Sequence, residues 1–233
     1  MEVRLISLRA RLRSGFTLIE LLVVIGIIAV LIGFAFPVFQ GVTERAKKVQ
    51  AKNDVTQIVT AVNAFYTEYG RYPSTAGTDA YFGSMPAAPS GTTGATNDLL
   101  FDVLRNNTDT AHSPNNSALV TSLNPRGVAF LDLRTTSSNT KPAAGVVPNN
   151  AAVTGGVRIG AFYDPWGSAY NVEIDTTYDN SIINPYTDAP GGSPLSTGVI
   201  SWSLGKNNVL GGGGTEKGSA NNYSSSGDVI SWQ

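Results

Sequence analysis

Between Phe16 and Phe36 the chain carries one charged residue, Glu20, inside an otherwise apolar run. About 20 such residues, rising ~1.5 Å each as a helix, reach across the core of a bilayer. A carboxylate in that setting is expensive and calls for a positive partner. The residues just ahead can supply one. A cut after Gly15 creates an α-amine on Phe16, one helical turn from Glu20. The segment in front suits a discarded leader, being short and carrying Arg4, Arg9, Arg11 and Arg13. The chemistry to expect at Glu20 is therefore ion pairing with an amine.

Catalytic constellations are missing. His112 is the only histidine and lies in a polar stretch, so a histidine triad or a multi-histidine zinc site has little to draw on. The chain has no cysteine, which excludes a disulfide framework and thiolate chemistry. Gly211-Gly212-Gly213-Gly214 lacks the spacing to Lys217 that a phosphate loop needs, and reads as a flexible connection. Asp175 with Asp179 and Asp188 leaves an oxygen-ligand site open, though solvated loop acids are far commoner. Three Asn-x-Ser/Thr triplets are what chance provides in a chain this rich in Asn and Ser. No enzyme is expected.

The 233 residues leave room for one domain of about 150 to 180 residues beyond the apolar run. Glu2 and the four leader arginines carry +3, so a chain without them stands near −4 against −1 for the whole. That mild acidity argues against nucleic acid as a partner, since such binding needs clustered Lys and Arg. Arginines before the run, with few charges just after it, place the N-terminus in the cytoplasm and the C-terminal part across the membrane. An ordinary signal peptide would put small residues at a cleavage site after the run, where Ala35-Phe36-Pro37 is unsuitable. An uncleaved anchor leaves Glu20 unexplained.

The elements that position these residues follow from periodicity. Val55, Ile58, Val62, Phe65 and Tyr69 step by three and four, and Val42, Ala46 and Val49 continue the stripe backwards. Glu44, Arg45, Lys47, Lys48, Lys52 and Asp54 fill the other sides. Gly70 and Pro73 close the helix. One helix of roughly 54 residues and ~80 Å is expected, weakened at Pro37. Residues 74–156 are rich in small and polar types and read as a loop-rich insertion with two apolar islands, Leu99–Leu104, a short helix, and Val128–Leu133. Ser137–Ala144 has little to bury. From Val157 the pattern turns to β. Val157–Tyr163 and Ala169–Ile174 flank Asp164-Pro165-Trp166-Gly167, which has the residue order of a type I turn and predicts a hairpin. Val199–Leu204 and Val229–Trp232 supply further strands. The expected fold is α+β, a long N-terminal helix packed on a small antiparallel sheet with long loops. Its segments are 1–15, 16–37, 38–73, 74–156 and 157–233.

Gly15-Phe16-Thr17-Leu18-Ile19-Glu20 resembles the processing motif of type IV pilins and type II secretion pseudopilins. The resemblance implies cleavage between Gly15 and Phe16 by a prepilin peptidase, N-methylation of Phe16, and pairing of Glu20 with a neighbouring subunit's amine during filament assembly. Pro37 matches the family's helix-kinking proline. Gly70–Ser74, Asp164–Tyr170, Trp202–Asn208 and Gly227–Trp232 are similar to further segments of the major pseudopilin, whose C-terminal loop holds a structural Ca²⁺. Mapped here, Asp228 matches a ligand carboxylate, Asn207 stands where an Asp is usual, and Leu204 and Ser226 are carbonyl donors. Calcium takes six to eight oxygens, and Asn in place of Asp removes a charge from the site.

The function this implies is structural. The chain is expected to be a homo-oligomeric filament subunit held in lipid by a single pass through a bacterial inner membrane, with a periplasmic C-terminal domain. Its implied partners are the prepilin peptidase, the assembly platform and minor pseudopilins. Two alternatives stay open: a type IV pilus subunit for adhesion, motility or DNA uptake, and a minor tip subunit that binds a partner through residues 75–156. Glu20 favours a repeating subunit, and the Asp164–Gly167 hairpin with Trp232 favours the secretion branch.

Overall fold

The computed structural model describes residues 16–83, 91–109, 116–211 and 222–233, with the side chains of 34–40 left out. The chain divides into two compact units, one ending at Arg45 and one running Ala46–Gln233. Helix α1 covers Leu18–Tyr69 as one element of 52 residues. From Leu21 to Gly33 its side chains are apolar on every side and exposed, Leu22 at 64%. A helix apolar all round is one that a membrane or a protein partner covers. Among the described residues no helix is long and apolar enough to cross a membrane. The run of described side chains stops at Gly33, short of the ~20 residues a crossing needs, while the sequence stays apolar through Phe36.

In the second unit α1 presents a true amphipathic face. Ala51, Val55, Ile58, Ala61, Val62 and Phe65 are buried at the spacing of one helical stripe. Tyr69 is half-buried at the edge of this core, and Gly70 closes the helix at φ +66° with its N–H on the Tyr66 carbonyl (2.8 Å). The stripe does not continue backwards as expected. Val42, Ala46 and Val49 are exposed, Val49 at 70%. Within this unit, coverage of α1 begins where the C-terminal strand reaches it, and there Lys52 donates to the carbonyls of Ile230 and Gln233 (2.9 Å each).

The main sheet has five strands in the order β2-β1-β5-β6-β7: β1 Ala80–Phe82, β2 Thr93–Ala95, β5 Asn171–Ile174, β6 Val199–Ser203 and β7 Val229–Ile230. Every pairing is antiparallel except β1 with β2, which is parallel. The two-residue side-chain period splits the sheet cleanly. Phe82, Val172, Ile174, Val199 and Val229 share one core with the α1 stripe. Tyr81, Ile200, Trp202 and Ile230 form a second cluster with Ile182, Tyr186 and Leu195.

Residues 74–156 do more than decorate this frame. They supply β1 and β2, the helices α2 (Asn97–Arg105) and α3 (Ser117–Leu123), and the short strand β3 (Gly145–Val146). Leu100, Phe101, Leu104, Val120 and Leu123 are buried in the α1 core. The island Leu99–Leu104 is helical as expected. Val128–Leu133 forms no regular element, although the N–H groups of Phe130 and Leu131 both reach the Leu104 carbonyl (2.8 and 3.2 Å).

The predicted hairpin is present but shorter. Val157 and Arg158 are irregular and Ile159 and Gly160 form a turn, so β4 is only Phe162–Tyr163, and it pairs with β3 in a separate two-stranded sheet. The hairpin itself persists through Tyr163 bridged to Ala169 and the Tyr170 N–H on the Phe162 carbonyl (3.0 Å).

A buried polar network pins α2. Asp98 and Asp102 are both fully buried one turn apart. Arg158 donates to both oxygens of Asp98 (2.8 and 3.2 Å), Asn116 donates to Asp102 (2.8 Å), and so does Asn107 (2.7 Å). Removing one partner of such a pair leaves a buried charge uncompensated. Arg158→Met is therefore expected to lower unfolding free energy by about 3 kcal/mol, the low end for a buried pair because Arg158 is itself partly exposed. Urea denaturation measures it, and a loss below ~1 kcal/mol would contradict the role given to this pair.

Candidate functional site

Glu20 sits at the third position of α1 and closes a reciprocal cap. The Thr17 N–H donates to its carboxylate (2.8 Å), the Thr17 hydroxyl donates to the same oxygen (2.7 Å), and the Glu20 N–H returns to the Thr17 hydroxyl (3.3 Å). This is a capping box, in which two otherwise orphaned donors at a helix start are satisfied together. A carboxylate in the first turn also meets the positive end of the helix dipole. Thr17-Leu18-Ile19-Glu20 matches the S/T-x-x-E signature of such a cap, a partner beside the Phe16 amine that the charge of Glu20 alone does not suggest. Phe16, the residue whose amine a cut would free, is directly before this cap and 77% exposed. Gly15 lies outside the described residues. Pro37 lies within α1, with its side chain outside the described set.

The structure brings the C-terminal candidates together as a clasp. Asp228 is 5% exposed, and its Oδ2 accepts the Gly211 N–H (2.8 Å) and the Tyr186 hydroxyl (2.8 Å). Burial, and then the adjacent Asp228, push the Tyr186 phenol well above its ordinary range, so it stays a donor. The Asn207 side-chain oxygen accepts the Val209 N–H (3.1 Å). The Ser226 hydroxyl accepts the Asp228 N–H (3.2 Å) and donates to the Tyr223 carbonyl (2.8 Å). Leu204 is buried, and Gly205, at φ +63°, lies so close to the Gly227 carbonyl that a Cβ there would stand 2.6 Å away. These groups gather around a single carboxylate, and the Tyr186 and Gly211 donors both reach its Oδ2. Asp228 is the one carboxylate of the four candidates, and among the described residues no three of His, Cys, Asp or Glu gather there.

Asp175 and Asp179 share one turn after β5, whereas Asp188 stands apart, holding the N–H groups of Tyr223 and Ser224. His112 lies outside the described residues.

The Asp164 turn is a third organised point, with Asp164 itself fully buried. One oxygen of Asp164 accepts the N–H groups of Trp166, Gly167 and Ser168 (2.8–2.9 Å), and the other accepts the Ser203 hydroxyl, locking the turn to β6. Asp54 of α1, expected on a solvent side, is also buried and accepts the Tyr170 hydroxyl (2.8 Å) and Arg134 (3.2 Å).

Residues 10–36 match the family described as the prokaryotic N-terminal methylation motif. The chain is 35% identical over 83 residues to type II secretion system core protein G of Aeromonas hydrophila, covering 35% of this chain and 58% of that one. It is 41% identical over 58 residues to type IV major pilin protein PilA of Myxococcus xanthus, covering 25% of this chain and 26% of that one. A core protein G of Pseudomonas aeruginosa matches at 35% identity over 68 residues, 29% of this chain and 48% of that one. The chain thus spans about half or less of the length of these relatives. No solved structure matches it significantly.

Burial raises the Asp164 pKa to about 6, outweighing its four donors. The folded state then holds a proton more tightly than the unfolded chain between pH ~4 and ~6, so this group's contribution to stability falls as pH rises through that window. The expected result is that wild type loses stability relative to Asp164→Asn from pH 4 to pH 6. Urea midpoints of the two proteins across that range measure it, and a difference independent of pH would contradict it.

Proposed function

We propose that this chain, a member of the pilin-like and pseudopilin family, is a repeating structural subunit of a type II secretion pseudopilus. The observation that carries the proposal is the Thr17–Glu20 cap at the head of an exposed apolar helix, inside the segment that matches the methylation motif. The matches to core protein G and the Asp164–Gly167 hairpin support the secretion branch. A type IV pilus subunit is the second reading, supported by the match to the Myxococcus xanthus pilin.

In the proposed mechanism the apolar helix holds the subunit in a bacterial inner membrane, with the leader in the cytoplasm and the second unit in the periplasm. Prepilin peptidase cuts after Gly15, and Phe16 is methylated. Until assembly, the cap keeps the Glu20 carboxylate hydrogen-bonded, which lowers the cost of carrying it in lipid. At the assembly platform, an incoming subunit's Phe16 amine then competes with Thr17 for that carboxylate, and charge pairing in a dry filament core favours the amine. Exposed side chains such as Leu18, Leu22, Ile25 and Val30 supply the remaining cohesion. The role is structural, and no catalytic step is assigned to the chain.

The cap separates two roles of Glu20. Gln serves at the same capping position but carries no charge. Glu20→Gln is expected to keep an inserted subunit with an intact helix start, yet to give at least about tenfold less sheared filament, which a loss of ~1.4 kcal/mol per subunit would cause. Glu20→Ala loses the cap as well. Wild-type filament yield from Glu20→Gln would overturn the charge-pairing step.

A further inference from the structure

At the open end of the β1–β5 pair, the chain gathers negative charge without an evident counter-charge. The loop after β5 runs Asp175-Thr176-Thr177-Tyr178-Asp179-Asn180, with oxygen-bearing side chains at every second position and left-handed backbone at Tyr178 (φ +60°) and Asn180 (φ +57°). The Asp175 carboxylate, 3% exposed, accepts the N–H groups of Asp179 (3.3 Å) and Asn180 (2.7 Å). The Thr177 hydroxyl lies 3.1 Å from Asp175 Oδ1 and 3.0 Å from Asp79 Oδ1. A hydroxyl has one proton, so it donates to only one of these carboxylates. Asp79 Oδ1 also accepts the Thr177 N–H (3.3 Å), so the two carboxylates converge on Thr177 from either side.

An independent observation lies one step deeper in the sheet. Glu173 leaves β5 on the same face as Asp175. It is paired in register with Tyr81, so Asp79, two residues before Tyr81 on β1, is its diagonal neighbour. Glu173 is fully buried, and neither of its carboxyl oxygens has a hydrogen-bond partner. Among the described ion pairs, none involves Asp79, Glu173, Asp175 or Asp179. A buried carboxyl without a hydrogen-bond partner beside two further carboxylates is a site short of positive charge.

The geometry points to a calcium site at this sheet end, with Asp79, Asp175 and Thr177 as side-chain ligands and Glu173 as the buried counter-charge beneath them. Among the described residues no three of His, Cys, Asp or Glu converge on one point. The ion must therefore accept a mixed set of carboxylate, hydroxyl and further oxygens, which suits calcium and not zinc. The loop parallels the start of the calcium loop D-x-[DN]-x-[DN]-G, with Thr177 at the third position and Asn180, in left-handed backbone, where that loop has Gly.

The test is calcium binding to the full chain in detergent after chelator treatment, followed by calorimetry and by terbium luminescence displaced by calcium. One site is expected to fill by about 1 mM calcium, the range of extracellular modules. Glu173→Gln preserves shape and is expected to weaken binding about tenfold, as loss of an outer-shell partner does. Asp79→Asn is expected to weaken it at least as much, whereas Asp228→Asn leaves it unchanged. Binding that is absent to about 10 mM, unaffected by Glu173→Gln or Asp79→Asn, or abolished by Asp228→Asn would each overturn the assignment.

Discussion

Burial of one face of α1, from Ala51 to Phe65, is the interaction on which the second unit depends. That stripe shares a single core with the inward face of the five-stranded sheet and with α2 and α3. The strands are two to five residues long. Sheets of such short strands have little stability of their own and need a packed helix. The helix in turn needs them, since isolated helix owes most of its stability in proteins to packing of its apolar face. Everything else in this unit hangs on that mutual cover, including the second apolar cluster on the far face, where Trp202 meets Tyr81 and Trp232.

Buried carboxylates then fix the loops to this core. Asp54, Asp98, Asp102, Asp164 and Asp228 are each met by hydrogen-bond donors from distant parts of the chain. With no cysteine available, these charge-assisted bonds take the stapling role that cross-links play in disulfide-bonded domains. The Tyr186–Asp228–Gly211 clasp does this for the C-terminal loop, and Lys52 ties the last residues to α1. Glu173 is the exception, and its lack of any donor is what gives the end of the β1–β5 pair its distinct character.

The helix and its exit were legible because period and punctuation agree locally: Val55, Ile58, Val62 and Phe65 recur at helical spacing and Gly70 ends them. The Asp164 turn was legible for the same reason. What could not be read were long-range choices. Nothing in Ala80-Tyr81-Phe82 announces a strand that joins β5 across some ninety positions, because three residues carry too little period. Asp54 and Lys52 look like any solvent-facing charges until Tyr170 and Ile230 arrive from the other end of the chain. Val42 and Val49 keep the helical period, yet α1 coverage in the second unit starts only at Ala51, so periodicity overran the core. At the candidate site the motif around Glu20 was plain. Its hydroxyl partner Thr17 was less so, because a charge in an apolar run points to an amine before a neighbouring hydroxyl. Asp228, the carboxylate the resemblance assigns to calcium, accepts the hydroxyl of Tyr186, a residue no local motif connects to it.

The central claim is that Phe16 becomes an amino terminus beside the capped Glu20. Intact mass and N-terminal sequencing of the protein purified from its own membrane test this most directly. The account predicts a chain that begins at N-methylated Phe16. A chain that retains Gly15, or that is cut after the apolar run, would contradict it and leave Glu20 without the amine on which assembly is argued to depend.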